Sequence, residues 1–294
     1  MRFSGQGMMS HTASTTISRY FTNTRGKALS TGWFGLSTAE FLMPVTIIYA
    51  LTIMDWRNIW IIISVAIILF LPLVSYFLVK EVKLSSREDD NEVIKQNIKQ
   101  WKRSEVIKDY RFIIIALNML AMPWIATGIF VYQSFILSAK NWGEYTIAQS
   151  FMVYSIASVL TLFVAGYLID KFTSRKLLIY MNIPFLISLL ILIYFQSPVS
   201  SFFFLGLIGV SNGFANVLGS STWAELYGVK FIGSIKALTT ALMVFSTAFG
   251  TALFGLMIDF DFSIEQISMI SGGYILISLI LLFLIKNKLN PTIL

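Results

Sequence analysis

The sequence predicts an all-α membrane protein, a helical bundle assembled from two related halves, and three observations carry that prediction. The first is composition: 56% of the 294 residues are hydrophobic, 13% are charged, and the mean hydropathy is +0.75, which leaves too little polar surface to coat a body in water. The second is the recurrence of apolar runs of about 20 residues, the length that crosses a hydrocarbon core. The third is an internal repeat. Lys27-Ala28-Leu29-Ser30-Thr31 recurs as Lys236-Ala237-Leu238-Thr239-Thr240, and Ser37-Thr38-Ala39 as Ser246-Thr247-Ala248, both displaced by 209 positions. Tyr20 and Gly26 find Tyr227 and Gly233 at a displacement of 207. Such words in an apolar chain mark a duplicated helical bundle.

Nine spans follow in order. The first, over 3–18, is short and polar for a membrane helix. The second, over 28–51, starts after the basic residues Arg25 and Lys27 and contains Pro44, which removes one backbone donor. The third covers 59–79 after the turn Asp55-Trp56-Arg57. The stretch 84–108 is densely charged, with Ile94, Ile98 and Trp101 on one face at helical spacing. It reads as an amphipathic helix on the membrane surface or as a charged linker. Beyond it lie spans over 112–138, where Pro123 and Trp124 predict a kink, and over 145–169, 177–195, 202–224, 237–258 and 267–285. The domain division is an incomplete N-terminal bundle over 1–82, a central loop over 83–109 and a six-helix bundle over 110–294. By the repeat offset the first half lacks counterparts of residues 110 to about 204, so the sequence reads as one missing its opening helices.

Charge sets the expected orientation. Of the 22 Lys and Arg, 19 fall in alternate connections, with only Arg57 and Lys140 on the opposite side and Arg2 inside a helix. The positive-inside rule makes the loop after the first span, the central loop and the C-terminus cytoplasmic, in a plasma (bacterial inner) membrane. The net charge of +7 is therefore membrane topology and not a nucleic-acid surface. With no cysteine, disulfides and thiolate metal sites are excluded. No phosphate loop, catalytic triad or metal cluster is visible, so neither a cofactor nor enzymatic chemistry is expected.

The connection Gly166-Tyr-Leu-Ile-Asp170-Lys171-Phe-Thr173-Ser-Arg175-Lys176 resembles the G-x-x-x-D-[RK]-x-G-x-[RK]-[RK] signature of the major facilitator superfamily, with Thr173 where that signature has glycine. Its glycine admits a close neighbouring helix, its aspartate meets basic groups or a partner helix's N-terminus, and its basic residues hold the cytoplasmic surface. Arg2-Phe-Ser-Gly5-Gln6-Gly7 is similar to the word of the superfamily's fourth helix, and Arg19-Tyr20-Phe21 through Ala28 to its next loop. Glu225-Leu-Tyr227-Gly228 with Gly233 and Lys236 is similar to the loop between its tenth and eleventh helices in bacterial, monocarboxylate-porter-like members. The resemblance implies a permease truncated at its N-terminus. Its nine helices would be the fourth to twelfth of twelve, moving a small organic anion by alternating access as a monomer when complete. A membrane scaffold or decayed fragment that kept the fold without transport is the alternative.

Candidate site residues follow from polarity at membrane depth. Glu40, thirteen residues after Lys27, lies about 20 Å along its helix, next to the carbonyl that Pro44 frees. A carboxylate there costs about 2.5 to 3.5 kcal/mol when charged, which suits a proton-coupling group; the other reading has it protonated and bonded to a neighbouring helix. Arg2, sharing a face with Gln6, is placed to hold a carboxylate or to pair with an acid of an earlier helix. Asn212, Asn216, Gly219 and Trp223 form one stripe; Asn118 and Gln133 flank the Pro123 kink. The stripe lines a site or bonds between helices. His11 reads as a hydrogen-bonded packing residue. Reporter fusions at Asp90, Ser174 and Lys288 are expected to report cytoplasm, and one at Asn141 the outside. A periplasmic signal at Asp90 contradicts this orientation.

Overall fold

The computed structural model describes residues 9–21, 24–79 and 98–293. The helices are α1 (Ser10–Tyr20), α2 (Arg25–Leu51), α3 (Trp56–Val79) and a single turn α4 (Arg103–Val106), followed by α5 (Tyr110–Ala121), a π turn (Met122–Ala126), α6 (Thr127–Val131) and α7 (Gln133–Lys140). Then come α8 (Glu144–Phe172), α9 (Ser174–Met181), α10 (Ile183–Tyr194), α11 (Ser200–Tyr227), α12 (Ile232–Asp259) and α13 (Ile264–Ile285). Among the described residues, seven helical stretches are long and apolar enough to cross a membrane. The nine expected spans include two that do not qualify. α1 has only 11 described residues, and α2 carries Ser30, Thr31, Ser37, Thr38 and Glu40 among its apolar positions.

The repeat is a repeat of helix boundaries. α1 and α11 end at Tyr20 and Tyr227, and α2 and α12 begin at Arg25 and Ile232, each pair 207 positions apart. Small residues set the closest helix approaches, as they do where lipid supplies no hydrophobic drive between helices. The most extensive contact joins α8 to α11. There a Cβ on Gly213 would fall 2.6 Å from the Ser158 carbonyl oxygen, and one on Gly209 would collide with the Tyr154 backbone. α2 crosses α8 where Gly166 faces Gly26 and Ser30; a Cβ on Gly166 would sit 2.7 Å from Ser30 Oγ. One apolar core gathers Leu29, Ile115, Leu162, Leu178 and Trp223, and a second gathers Trp124, Ile136, Phe185, Phe204 and Phe254. α3 packs mainly on α2 and keeps most of its surface open.

The structure refines the sequence expectations at several places. The central loop is not an amphipathic helix through Trp101: Ile98 pairs with Ile293 in an isolated antiparallel bridge, Lys99 N donates to Thr292 O (2.7 Å) and Trp101 N to Tyr227 O (3.0 Å). The backbone of 98–102 therefore finds its partners in the C-terminal tail and at the end of α11, with Trp101 edge-on to Tyr227. Among the residues described from Ile98 onward, helix begins at α4, where Glu105 accepts from Lys102 N and from Lys99 Nζ, bonds that hold its carboxyl below the usual carboxylate range. The part of the loop before Ile98 lies outside the described residues. The span expected over 177–195 is present as Ser174–Tyr194, with a local irregularity at Asn182, whose side chain donates to Asn118 O (2.6 Å) while its own carbonyl accepts from Leu186 N (3.0 Å). The span expected over 3–18 is described only from Met9 and runs on to Tyr20. At Pro123 the kink takes the form of the π turn, since proline cannot donate into the ladder.

Two connections share an uncommon backbone. Thr173, between α8 and α9, has φ 75° and ψ 147°, and Gly228, after α11, has φ 80° and ψ 171°. That region suits glycine, and a β-branched residue there is strained by about 1 to 3 kcal/mol. Thr173 Oγ1 is also buried without a partner among the described residues. Thr173→Gly is expected to stabilise the protein by about 1 kcal/mol after the added entropy of the unfolded glycine is subtracted. A detergent melting curve checks this, with a rise of roughly 2 to 4 °C expected; an unchanged or lower midpoint contradicts the strain argument.

Candidate solute cavity and helix-end carboxylates

One end of the bundle collects the basic residues and two carboxylates that reach across to neighbouring helices. Asp170, in the last turn of α8, accepts from Gly26 N (2.7 Å) and Lys27 N (3.1 Å), two of the backbone donors that the first turn of α2 leaves free. Its negative charge also faces the positive end of the α2 dipole. Glu225, near the end of α11, does the same for α9 by accepting from Ser174 N (3.0 and 3.1 Å), and its Oε2 lies 3.6 Å from Arg175 Nε. Arg25 is buried at the start of α2, donates to Ser18 O (3.1 Å), and feels both Glu225 and Asp170. Arg175 Nη1 donates to Leu289 O (2.8 Å) and Asn290 Oδ1 (3.0 Å), fastening the C-terminal tail. Lys171 and Lys176 are exposed. At the same end Asp109, buried, accepts from Arg111 and from Tyr227 Oη (3.1 Å), joining the start of α5 to the end of α11.

Between the helices lies a cavity of about 410 Å³, a size that holds small organic molecules. α1, α2, α5, the π turn, α6, α8, α9, α11 and α12 all contribute to its wall. The four residues of the α11 stripe, Asn212, Asn216, Gly219 and Trp223, all line it, and Asn212 Nδ2 also donates to Ser158 Oγ (3.1 Å). Asn118 and Gln133 are not among the lining residues. Asn118 is fully buried, donates to Ser278 Oγ (3.3 Å) and ties α5 to α13. Gln133 begins α7, with Oε1 buried and unpartnered among the described residues. Arg2, Gln6 and the Glu40 side chain lie outside the described residues.

The reading of His11 as a bonded packing residue is corrected: it lines the cavity, and its buried Nδ1 has no partner among the described residues. The site residue that sequence reasoning missed is Lys236, 4% exposed and on the cavity wall. A signal for it was present. Lys236, Thr239, Thr240, Met243 and Thr247 recur at one-turn spacings along α12, a polar stripe in an otherwise apolar helix.

Apolar helices long enough to cross a bilayer, packed around a cavity with a partly polar wall, define a multi-pass membrane protein built to pass a small solute. The chain belongs to the Major Facilitator Superfamily, whose family model matches it over residues 4–251 and again over 113–293. It is a membrane transporter. No curated protein sequence matches the chain.

Asp170→Ala removes both acceptors from the start of α2 and is expected to cost that contact about 1 to 2 kcal/mol. Because the chain has no cysteine, a single cysteine replacing the buried Ser30 reports the opening of the α2–α8 contact. Its labelling by a water-soluble maleimide is expected to speed up about tenfold when Asp170→Ala is added, since about 1.4 kcal/mol is a factor of ten in the opening equilibrium. An unchanged labelling rate contradicts the role of Asp170 as the clasp between these helices.

Proposed function

We propose that this transporter is a secondary active permease that carries a small organic anion by alternating access and couples it to protons. In this reading it is a bacterial member of the monocarboxylate-porter-like branch, lying in the inner membrane with its C-terminus in the cytoplasm and working as a monomer. Its spans correspond to the fourth to twelfth helices of a twelve-helix protein, residues 1–82 belonging to one bundle and 110–294 to the other.

The observation that carries the proposal is the cavity itself. It draws on α1 and α2 from the first part of the chain and on α5, the π turn, α6, α8, α9, α11 and α12 from the second, so a solute held there touches both. Relative movement of the two parts changes which side the cavity faces. In this reading that movement breaks the bonds from Gly26 and Lys27 to Asp170, and the signature Gly166, Asp170, Lys171, Arg175 and Lys176 forms the gate; those two bonds support it. Asn212 and Asn216 supply neutral hydrogen bonds to the solute, with Arg2 and Gln6 as further candidates from the first span. Proton coupling is assigned to Glu40, a carboxyl that the sequence puts at membrane depth, where a fixed charge is costly.

Glu40→Gln keeps size and hydrogen bonding but removes the titration. Reconstituted in proteoliposomes as the full twelve-helix protein, this variant is expected to lose proton-driven accumulation while exchange of solute down its gradient persists, and Glu40→Ala is expected to impair both. Accumulation by Glu40→Gln equal to that of the parent assigns Glu40 a packing role.

A further inference from the structure

The seam between α1 and α12 holds three buried polar atoms with no hydrogen-bond partner among the described residues: His11 Nδ1, Thr15 Oγ1 and Lys236 Nζ. The two helices touch along this seam, with Thr15 next to Gly233 and, one turn further along each helix, His11 within electrostatic reach of Lys236. His11 and Lys236 both line the cavity. Buried charges in proteins are normally paired, because an ammonium removed from water without a counter-ion is strongly disfavoured. Arg25 obeys that rule, with Glu225 and Asp170 offsetting it. Lys236 does not. The charged groups that act with it among the described residues are both basic, Arg25 from α2 and His11 from α1.

The repeat shows that this burial is particular to one half. Lys27, the counterpart of Lys236, is the third residue of α2 and is exposed; Lys236 is the fifth residue of α12 and is enclosed. The two-residue difference between the 207 and 209 offsets lengthens the start of α12 and carries the lysine about 3 Å further from its helix start.

We propose that Lys236 is the anion anchor of the cavity, its ammonium pairing with the carboxylate of a monocarboxylate solute whose second oxygen reaches the His11 and Thr15 side of the seam. One lysine neutralises one charge. Besides Lys236 no Lys, Arg, Asp or Glu among the described residues lines the wall, which mixes the hydroxyls of Thr239 and Thr240 with the apolar bodies of Trp33, Leu242, Met243 and Trp223; a single negative charge on an organic body suits it better than phosphate. This assignment rests on the transport reading only for its purpose; the binding itself is tested without transport.

The test uses the full chain in detergent and follows tryptophan fluorescence, since Trp33 and Trp223 are on the cavity wall. The probes are straight-chain monocarboxylates from formate to octanoate, with butyramide as the neutral analogue and inorganic phosphate as the other anion. Saturable quenching by at least one monocarboxylate, none by butyramide or phosphate, affinity kept within a few-fold in Lys236→Arg and reduced at least tenfold in Lys236→Gln is the expected result. Equal affinity in Lys236→Gln and the parent, an equal response to butyramide or phosphate, or no response to any monocarboxylate overturns the proposal. A second measurement guards against misfolding. Without solute, Lys236→Met is expected to melt at or above the parent temperature, because it removes an unpaired buried charge; a midpoint several degrees lower means that Lys236 serves a structural partner and also overturns it. Binding with the expected Lys236 dependence, but no passage of the radiolabelled carboxylate into proteoliposomes, would instead sink the transport reading and leave the anchor standing.

Discussion

The structure depends on how helix starts at the basic end are satisfied. Each begins with backbone N–H groups that no residue of the same helix can accept, and at a membrane boundary an unmet donor is disfavoured. Asp170 supplies the acceptors for α2 and Glu225 for α9, in each case from the end of a neighbouring helix. The carboxylates thus do two things at once: they finish a helix and they fix which helix lies beside it. The following residues, Thr173 and Gly228, share the backbone conformation that turns the chain away after each acid.

The cavity is a consequence of this arrangement. Glycines draw α8 against α11 and against α2 with almost no side-chain volume between backbones, while the bulkier Trp33, Trp223 and Met243 line the cavity. The hydrogen bonds to Asp170 are few and lie at the edge of the contact, so they can be broken without dismantling either core. An interaction that closes one end of a bundle but involves two backbone donors is suited to a gate, because its loss is small against the packing that keeps each half intact.

Much of this was legible in the sequence, and the failures have physical causes. Helix existence followed from hydropathy because a bilayer forces every spanning segment to satisfy its own backbone. Asp170 and Gly166 were visible as a spaced word because a close crossing and a helix-start acceptor need particular residues at particular offsets. The stripe of Asn212 and Asn216 was visible because α11 is regular. What stayed hidden depended on partners distant in sequence: Trp101 leaves its helical spacing for Tyr227 and the C-terminal tail, and Asn182 makes a span locally irregular where its side chain reaches the Asn118 carbonyl. Asn118 itself looked like a site residue, since polarity in an apolar helix does not say whether a side chain meets a solute or Ser278. Lys236 was passed over because a lysine near a helix start normally reaches water, and only the three-dimensional arrangement shows that this one does not.

The central claim is that the basic end opens and closes by parting α2 from α8. Lys27 and Lys171 are exposed on either side of that contact, and the absence of native cysteine leaves two introduced cysteines as the only positions for spin labels. Pulsed electron spin resonance on this pair in lipid nanodiscs measures the movement directly. The account predicts two populations, a short distance matching the closed contact and a longer one, with Asp170→Ala shifting weight to the longer. A single narrow distance that neither solute nor the Asp170 substitution changes would contradict it.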